Sequence, residues 1–297
     1  MNSVYIASLI NSTIRMTTPI LFATLGSAIC TRVNVFNIAL EAQMLIATFF
    51  AIVVNYYTQS VMLSALAGVL SGMLLAMLVA FFQVKLKARD MIIGTSINLL
   101  VASATSYMLY TIIGTRGTLQ GNNMVSLPKI NPGIFSRSSF LESVFANLTI
   151  LDYACYIAAI LLFIYLFRTV WGFHLLSVGI NKTATESLGT KAERIQILSV
   201  VASGALCGLG GVALCMGNVT LFTEAMTSGR GYVALAANML GQAHPLAVIA
   251  SSLFFGMALA MSRAMQNIIN SQITVSFPYI ATILIMAIYG VRTKRKA

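Results

Sequence analysis

One carboxylate and a set of side-chain amides lie inside long apolar stretches of this sequence. The carboxylate is Glu41, in the segment NIALEAQML (37–45), and the amides are Asn37, Gln43, Asn98, Asn238 and Gln242. An amide offers both hydrogen-bond donors and acceptors, which suits a neutral, polyhydroxylated or heterocyclic solute better than a bare ion. These six residues are therefore the predicted lining of a substrate pathway. The alternative is that their side chains form interhelical hydrogen bonds that hold membrane helices together.

Apart from these six residues, the sequence shows no group of residues in a pattern typical of catalysis. Neither histidine, His174 or His244, has a carboxylate nearby in the sequence, and no nucleophile, base and acid are grouped. The sequence has no GxxxxGK[ST] phosphate loop, so ATP would have to be hydrolysed by another protein. The four cysteines lack the spacing of a metal site or of a disulfide framework. We therefore expect no catalytic residue, no metal and no bound cofactor.

The composition places these residues in a membrane protein. Hydrophobic residues make up 58% of the 297 positions and charged residues 8%, whereas soluble domains carry roughly a quarter charged residues. Apolar runs recur at about the 20-residue length that crosses a bilayer, near 17–30, 36–54, 60–84, 91–113, 150–168, 195–216, 231–243, 246–262 and 271–291. A further amphipathic or partly buried helix is expected over 1–16. The sequence predicts one all-α domain, residues 1–297, with about 8–10 transmembrane helices in the cytoplasmic membrane.

The net charge of +11 comes largely from cations beside the ends of apolar runs. Eleven of the eighteen lysines and arginines lie in three clusters, within 85–89, 168–194 and 292–296. The positive-inside rule places such clusters in cytoplasmic loops. The long connection 114–149 is then an outer loop, and 169–194 is a polar, basic inner loop. No basic stripe is interleaved with aromatic residues on a water-soluble face, so nucleic acid is not an expected partner.

Two short segments occur twice in the same order. NIALEAQML (37–45) resembles YVALAANML (232–240), and GMLLAM (72–77) resembles GMALAM (256–261). The predicted spans place the copies in opposite directions, which predicts a first repeat of about 17–84 and a second of about 195–262. Inverted repeats are typical of transporters, with the substrate path at the repeat interface.

The repeat gives Glu41 two interpretations. A carboxylate facing lipid is costly, so Glu41 must face protein, cavity water or a partner subunit. It either lines the path or hydrogen-bonds neighbouring helices near the inner membrane boundary.

The segment SGRGY (228–232) directly precedes the second copy. Its glycines and Arg230 are compatible with a helix start that breaks the segment and exposes a positive helix N-terminus on the outside. An exposed loop is the simpler interpretation, and both stay open.

The inner loop contains the most specific stretch, VGINKTATESLGTKAERIQ (178–196). Thr183 and Glu186 fit a capping box, and Gly189 suits a left-handed C-terminal position. The pattern predicts a helix of little more than one turn, which is marginal in water and is therefore expected to dock on another protein. The alternative is a solvated connector.

This loop resembles the coupling segment of permease subunits of ATP-binding cassette (ABC) importers, in the group that serves branched-chain amino acids, simple sugars and nucleosides. The resemblance covers nearly the whole chain. It rests on TPILFATLGSAICTRVNVFNIALEAQML (18–45), GTSINLL (94–100), WGFHLLSVGINKTATESLGTKAERIQ (171–196) and GRGYVALAANMLGQAHPL (229–246). The first and last stretches are most similar to nucleoside-type permeases, which often have NIGLEGMM where this chain has NIALEAQM.

The resemblance implies a type II-like importer fold with inverted halves, in which nucleosides move by alternating access. It also implies the partners: a second homologous permease, ABC ATPase subunits that bind ATP, and an extracytoplasmic solute-binding lipoprotein. The residues that would couple to the ATPase are Asn181, Lys182, Thr183, Glu186, Leu188 and Gly189. A pentose or related sugar is the alternative solute. A proton-driven carrier in which Glu41 titrates, and a scaffold without transport, are the rival hypotheses.

Overall fold

Helices account for most of the chain in the computed structural model, which describes residues 3–114, 116–121, 123–130 and 139–266. They are α1 (Ser3–Arg32), α2 (Leu40–Thr58), α3 (Val61–Ala80), α4 (Asp90–Met108), α5 (Ser139–Phe145), α6 (Ile150–Arg168), α7 (Val170–Ile180), α8 (Lys182–Ser187), α9 (Ala192–Ala213), α10 (Arg230–Leu240) and α11 (Pro245–Met265). Helices α3, α4 and α9 each continue as one π-helical turn, through Lys85, Ile113 and Asn218 respectively.

Seven helical segments of the described part are long and apolar enough to cross a membrane. They are Tyr5–Arg32, Leu40–Thr58, Val61–Lys85, Asp90–Ile113, Ile150–Arg168, Ala192–Gly217 and Pro245–Met265. The predicted all-α, multi-pass membrane protein is thereby confirmed. The apolar segment 231–243 forms the 11-residue α10, which at about 1.5 Å per residue is too short for a core of about 30 Å. The predicted span 271–291 and the basic cluster 292–296 lie outside the described residues.

The N-terminal residues belong to the first span. Helix α1 runs from Ser3 to Arg32 with Pro19 inside it, so the expectation of a separate helix over 1–16 is wrong. Polar residues before Pro19 obscure the apolar run, but several of them form hydrogen bonds within the fold. Asn11 Nδ2, for example, donates to the carbonyls of Val144 and Ala146, at 2.7 and 2.9 Å.

The inner loop contains a helix that the sequence pattern does not predict, because polar and basic residues flank it. The prediction of a polar connection over 169–194 is wrong for Val170–Ile180, which forms α7. The Thr169 hydroxyl caps this helix by accepting a hydrogen bond from the Gly172 N–H at 3.1 Å. Helix α7 is apolar but only 11 residues long, too short to be recognised as a membrane span.

The described part of the outer connection contains secondary structure, so the expectation of a plain loop is wrong there. Besides α5 it carries three two-residue strands, β1 (Thr118–Leu119), β2 (Lys129–Ile130) and β3 (Leu148–Thr149), while β4 (Phe222–Thr223) follows α9. Strand β1 pairs antiparallel with β4, and β2 with β3. These short pairings tie the outer connection to the end of α9 and to the start of α6.

Helix α9 lies at the centre of the bundle, where it packs against α1, α2 and α3. Its contact with α3 is made by glycines. A methyl group on Gly72 would lie 2.6 Å from the Gly204 carbonyl oxygen and 3.2 Å from the Gly208 Cα. Small residues allow membrane helices to approach this closely, and Gly72, Gly204 and Gly208 provide that close contact between α3 and α9.

Helices α1 and α9 are antiparallel. Pro19 of α1 lies against Gly210 of α9, whereas the Cys30 thiol, further along α1, contacts the carbonyl of Ser199, which comes earlier in α9. Gly26 lies against Ser203 between these two points. The first helix of one half therefore crosses the first helix of the other in the opposite direction.

Helix α11 packs on α1 as α3 packs on α9. Gly256 lies against Thr17, and the Ser252 hydroxyl donates to the Thr24 hydroxyl at 3.3 Å, so α11 runs antiparallel to α1. Gly72 of GMLLAM and Gly256 of GMALAM thus each contact the first helix of the opposite half. The sets α1–α3 and α9–α11 have the relation expected of inverted halves; their origin as a duplication stays a prediction.

Two of the basic clusters meet at one end of the bundle. Lys87, between α3 and α4, and Lys182 of α8 line the same cavity of about 370 Å³. The other end holds the outer connection, where the Asn55 side chain of α2 exchanges two hydrogen bonds with the Val125 backbone, at 2.8 and 3.0 Å. By the positive-inside rule the first end is the inner, cytoplasmic one.

Candidate functional site

Helix α2 begins in the middle of the bundle. After α1 ends at Arg32, residues 33–39 are non-helical, and Asn34 has a positive φ of 56°. Within this segment, Asn37 Nδ2 donates to the Ser203 hydroxyl at 3.4 Å, and Ser203 lies beside Gly26. Since Gly26 precedes Arg32 by six residues, the start of α2 lies about 9 Å from the inner end of α1.

Helix α10 also begins inside the bundle, and its N-terminus points at Glu41 in the first turn of α2. The backbone N–H groups of Gly229 and Gly231 donate to the two carboxylate oxygens of Glu41, at 2.8 and 2.7 Å. Hydrogen bonds to a carboxylate are stronger than neutral ones, and the helix dipole favours negative charge at this position. Glu41 therefore joins the starts of α2 and α10, the two helices that begin inside the bundle and are termed half-helices for that reason, although α2 is long enough to reach the outer end. SGRGY does contain a helix start, but the expectation that its N-terminus is exposed on the outside is wrong, because the N–H groups of Gly229 and Gly231 lie inside the bundle on Glu41.

The close approach requires glycine on the α10 side. A Cβ on Gly231 would lie 2.5 Å from the Glu41 amide nitrogen and 2.8 Å from its Oε2. Gly229 has φ of 77°, a left-handed conformation that glycine adopts without strain. The two glycines thus present their N–H groups at a distance that a larger side chain would prevent.

Asn98 of α4 connects the two half-helices from a third side. Its Oδ1 accepts from the Ala42 N–H at 2.9 Å, which satisfies one of the free donors at the start of α2. Its Nδ2 donates to the Ile38 carbonyl at 3.1 Å and to the Tyr232 hydroxyl at 2.9 Å. One amide thereby fixes the loop before α2, the first turn of α2 and the first turn of α10.

Tyr232 is a site residue that the sequence analysis did not single out. The residue is 44% exposed, although its hydroxyl reaches the buried Asn98. The available signal was the repeat, because Tyr232 occupies the position in YVALAANML that Asn37 occupies in NIALEAQML. An exposed aromatic face beside a carboxylate and an amide can stack on a planar ring and hydrogen-bond its polar edge.

The other two predicted residues near α2 are buried in a packing contact. Asn37 and Gln43 are 2% and 0% exposed. Asn37 Nδ2 donates to Gln43 Oε1 at 3.3 Å, and Asn37 Oδ1 accepts from the Ala39 N–H at 3.1 Å. In this conformation the pair shapes the loop before α2, and both side chains are buried.

Asn238 and Gln242 lie apart from Glu41. Asn238 Nδ2 donates to the hydroxyls of Ser27 and Thr31, at 3.0 and 2.9 Å, so it joins α10 to α1. Gln242 is exposed in the turn between α10 and α11 at the inner end. Four of the six predicted pathway residues therefore surround the start of α2, and their contact with a solute stays a prediction.

The predicted inner helix exists, with a different cap. Helix α8 is six residues long, and Asn181 is its N-cap, with Oδ1 accepting from the Ala184 N–H at 3.0 Å. The Thr183–Glu186 capping box is wrong, because Thr183 is already the second helical residue. Asn181 comes two residues earlier and offers the acceptor that N-caps favour. Gly189 closes the helix with φ of 84°, as predicted.

The surface around α8 exposes aliphatic side chains at the inner end of the bundle. Ile180 and Leu188 on either side of it are 87% and 86% exposed. Behind α8 lies the 370 Å³ cavity, with Lys182, Thr183 and Glu186 on one wall and Asn34, Val35, Gln83, Val84, Lys87, Asp90 and Gln196 on the others. The six predicted coupling residues are thus grouped on one short, protruding element.

The described part of the chain contains no group of three His, Cys, Asp or Glu side chains that could hold a metal ion. Its four cysteines are buried and unpaired.

Comparison with known proteins places this geometry in context. Residues 9–289 match the family described as "Branched-chain amino acid transport system / permease component". The nucleoside ABC transporter permease NupC of Lactococcus lactis subsp. cremoris is 29% identical over 284 residues, 92% of this chain and 89% of the relative. The guanosine ABC transporter permease NupQ of Bacillus subtilis is 28% identical, over 96% of this chain and 92% of the relative. The putative glucose ABC transporter permease TsgC13 of Haloferax volcanii is 25% identical, over 98% and 94% respectively.

The Lactococcus and Bacillus strains each also have a second matching permease with the same named solute, NupB and NupP. No solved structure is a significant match to this chain.

Proposed function

The chain belongs to the permease family of branched-chain amino acid transport systems, and we propose that it is the membrane subunit of an ABC importer that carries nucleosides into the cell. The observation that carries this proposal is the similarity to nucleoside and guanosine ABC permeases over more than nine tenths of the chain. The permease itself is non-catalytic in this proposal, and ATP is bound and hydrolysed by partner ATPase subunits.

The site at the two half-helix starts has chemistry that suits a nucleoside. Glu41 can accept hydrogen bonds from ribose hydroxyls or base N–H groups when the contacts to Gly229 and Gly231 open. The Tyr232 ring offers a stacking face for the base. Because this ring is exposed on the single chain, we propose that a second permease subunit completes the pathway beside it.

The arrangement of the bundle suggests where each proposed partner would bind. The paired permeases of the Lactococcus and Bacillus strains support a heterodimer with a second, homologous permease. An ABC ATPase subunit would cover the exposed Ile180 and Leu188 around α8, with Asn181, Lys182, Thr183, Glu186 and Gly189 in the contact. An extracytoplasmic solute-binding lipoprotein would dock on the outer connection and on residues 217–230.

The test is uptake by proteoliposomes that contain this chain with its partner permease, ATPase and binding protein. Tritium-labelled guanosine should enter only when ATP is present, and a proton ionophore should leave the uptake unchanged. Excess unlabelled nucleoside should block it, while ribose and glucose should not. Uptake that needs no ATP and is lost with the ionophore would instead identify a proton-driven carrier.

A sugar is the second candidate solute, because the Haloferax relative that matches nearly the full chain is described as a putative glucose permease. In the same assay, competition by glucose or a pentose with no competition by nucleosides would replace the nucleoside proposal with this one.

A further inference from the structure

The contacts at the inner end connect α8 to the turns that hold both half-helices. Two side chains, Arg32 and Gln196, make these connections. The inference below rests on the proposed function, since it concerns how an ATPase acting on α8 reaches the Glu41 site.

The first connection runs from α8 to the segment before α2. Lys182, the first residue of α8, donates through Nζ to Gln196 Oε1 at 3.1 Å. Gln196 Nε2 donates in turn to the Val33 carbonyl at 3.1 Å. Gln196 is 8% exposed, so water competes little for these bonds. The chain of contacts ends on the residue that directly follows α1 and opens the 33–39 segment.

The second connection runs from that segment to the turn between α10 and α11. Arg32 Nε donates to the Ala243 carbonyl at 2.9 Å, and its Nη2 donates to the Gln242 carbonyl at 3.4 Å. Both acceptor residues have positive φ, 53° and 51°. A left-handed pair of non-glycine residues is strained, and the two donors of one guanidinium hold it in place.

Two further contacts join Arg32 to α6 and α7 at the inner end of the bundle. Its guanidinium lies 5.6 Å from the centre of the Phe167 ring at the end of α6, and that ring stacks on His244 of the same turn. Gly179, near the end of α7, packs on the Arg32 carbonyl so closely that a side chain there would collide with it. Arg32 therefore contacts both the helix that precedes α8 and the turn that follows α10.

Space for movement lies next to these connections. Lys182, Thr183 and Glu186 face Asn34 and Val35 across the cavity of about 370 Å³. Helix α8 packs on α7 and α9, so it can shift into this space while its hydrogen-bonded connections transmit the displacement. Packed and hydrogen-bonded groups carry coupling between distant sites in this way.

We propose that Gln196 and Arg32 are positioning residues for transport: they transmit the movement of α8 to the 33–39 segment and to the 241–244 turn, and so move the two half-helices that meet at Glu41 together. Neither residue touches the solute. Loss of either should leave ATP-driven movement of α8 intact but separate it from the α10–α11 turn.

The test uses two cysteine reporters in the assembled transporter, with a water-soluble maleimide. The helix reporter is Ser187→Cys on α8, and the turn reporter is Gln242→Cys between α10 and α11. Both positions are exposed on the single chain. Position 187 lies within the proposed ATPase contact, so its labelling rate reports on that contact, and the Gln242 substitution keeps the carbonyl that Arg32 binds. The four native cysteines are buried and should not react, because buried thiols are inert. Labelling rates are compared with and without ATP plus vanadate, which does not require knowledge of the solute.

In the transporter that carries only the reporter substitution, the labelling rate of each reporter should change when nucleotide is trapped. Arg32→Gln should reduce the response of the turn reporter by about two- to thirtyfold, the range of reported coupling effects, and leave the response of the helix reporter unchanged. Gln196→Leu should do the same, and Arg32→Lys, which keeps the charge and one donor, should lie between. Arg194→Gln, which replaces an exposed arginine on the first turn of α9, is the matched control and should change neither response.

A turn-reporter response that survives in Arg32→Gln and Gln196→Leu would overturn the relay while leaving the proposed function in place. If Arg32→Gln fails to assemble, Arg32→Lys decides, and an undiminished turn-reporter response in that variant overturns the Arg32 connection. A helix reporter that reacts with the maleimide at the same rate with and without trapped nucleotide would mean that no ATPase acts on α8, and both the proposed function and the relay would fall.

Discussion

At the scale of single residues, Glu41 decides how the interior of this protein is organised. Its carboxylate satisfies two backbone donors that lie 188 and 190 residues away in the sequence. The sequence predicts that Glu41 must have polar surroundings, because the alternative is a carboxylate in lipid. The glycines of SGRGY are compatible with a helix start, but the sequence cannot predict that the N–H groups of Gly229 and Gly231 face Glu41, since that pairing depends on tertiary packing. Tyr232 was missed for a related reason: its contact with Asn98 depends on tertiary packing.

We predict that Glu41→Gln weakens the junction between the half-helices. A glutamine side chain has one acceptor oxygen and turns an NH₂ group toward the second backbone donor, so one charge-assisted bond is lost and one donor is left unpaired. Such losses cost about 1.5–3 kcal/mol. The expected result is a lower melting temperature of the purified complex and uptake reduced by about tenfold or more.

The control for this substitution is Glu142→Gln, which replaces an exposed carboxylate on α5. It should change neither quantity. Wild-type stability and uptake in Glu41→Gln would show that the two amide contacts do not hold the site together.

At the scale of elements, most helices agree with their apolar patterns, and the exceptions have physical causes. Helix α6 spans Ile150–Arg168, where the sequence predicts 150–168. Helix α7 was missed because an 11-residue apolar stretch between basic residues resembles part of a loop. The start of α2 was placed too early, because Asn37 and Ile38 continue the apolar pattern although residues 33–39 are non-helical.

The cap of α8 gives a prediction with a built-in control. Removing the Asn181 side chain by Asn181→Ala should destabilise α8 by about 1 kcal/mol, as is typical for an N-cap. Amide hydrogen exchange at 184–187 should then be about fivefold faster, and ATP hydrolysis should be less well coupled to uptake.

Thr183→Ala separates the two possible caps, because it removes the residue that the sequence pattern favours and leaves Asn181 in place. It should have little effect on exchange. Faster exchange in Thr183→Ala than in Asn181→Ala would contradict the assignment of Asn181 as the cap.

At the scale of the whole molecule, the distribution of charge predicted which segments share an end of the bundle. The clusters 85–89 and 168–194 were assigned to one side from their cations alone, and Lys87 and Lys182 do line one cavity. The inverted relation of α1–α3 to α9–α11 was predicted from two short sequence echoes. The head-to-head meeting of α2 and α10 was not, because it depends on where the chain re-enters the bundle after Arg32.

This orientation predicts the outcome of labelling in intact cells. Lys87→Cys and Lys182→Cys should react only with a membrane-permeant maleimide, because both face the cytoplasm. Lys129→Cys, on the outer connection, should react with an impermeant reagent as well. Opposite behaviour of positions 87 and 182 would contradict the antiparallel arrangement of the two halves.

The central claim is that nucleosides pass the point where α2 and α10 meet, and photolabelling of the assembled transporter tests it most directly. An azidopurine nucleoside should label the segment 229–246 at or beside Tyr232, and excess guanosine, but not glucose, should prevent the labelling. Label confined to other segments, or protection by glucose and not by guanosine, would contradict the account.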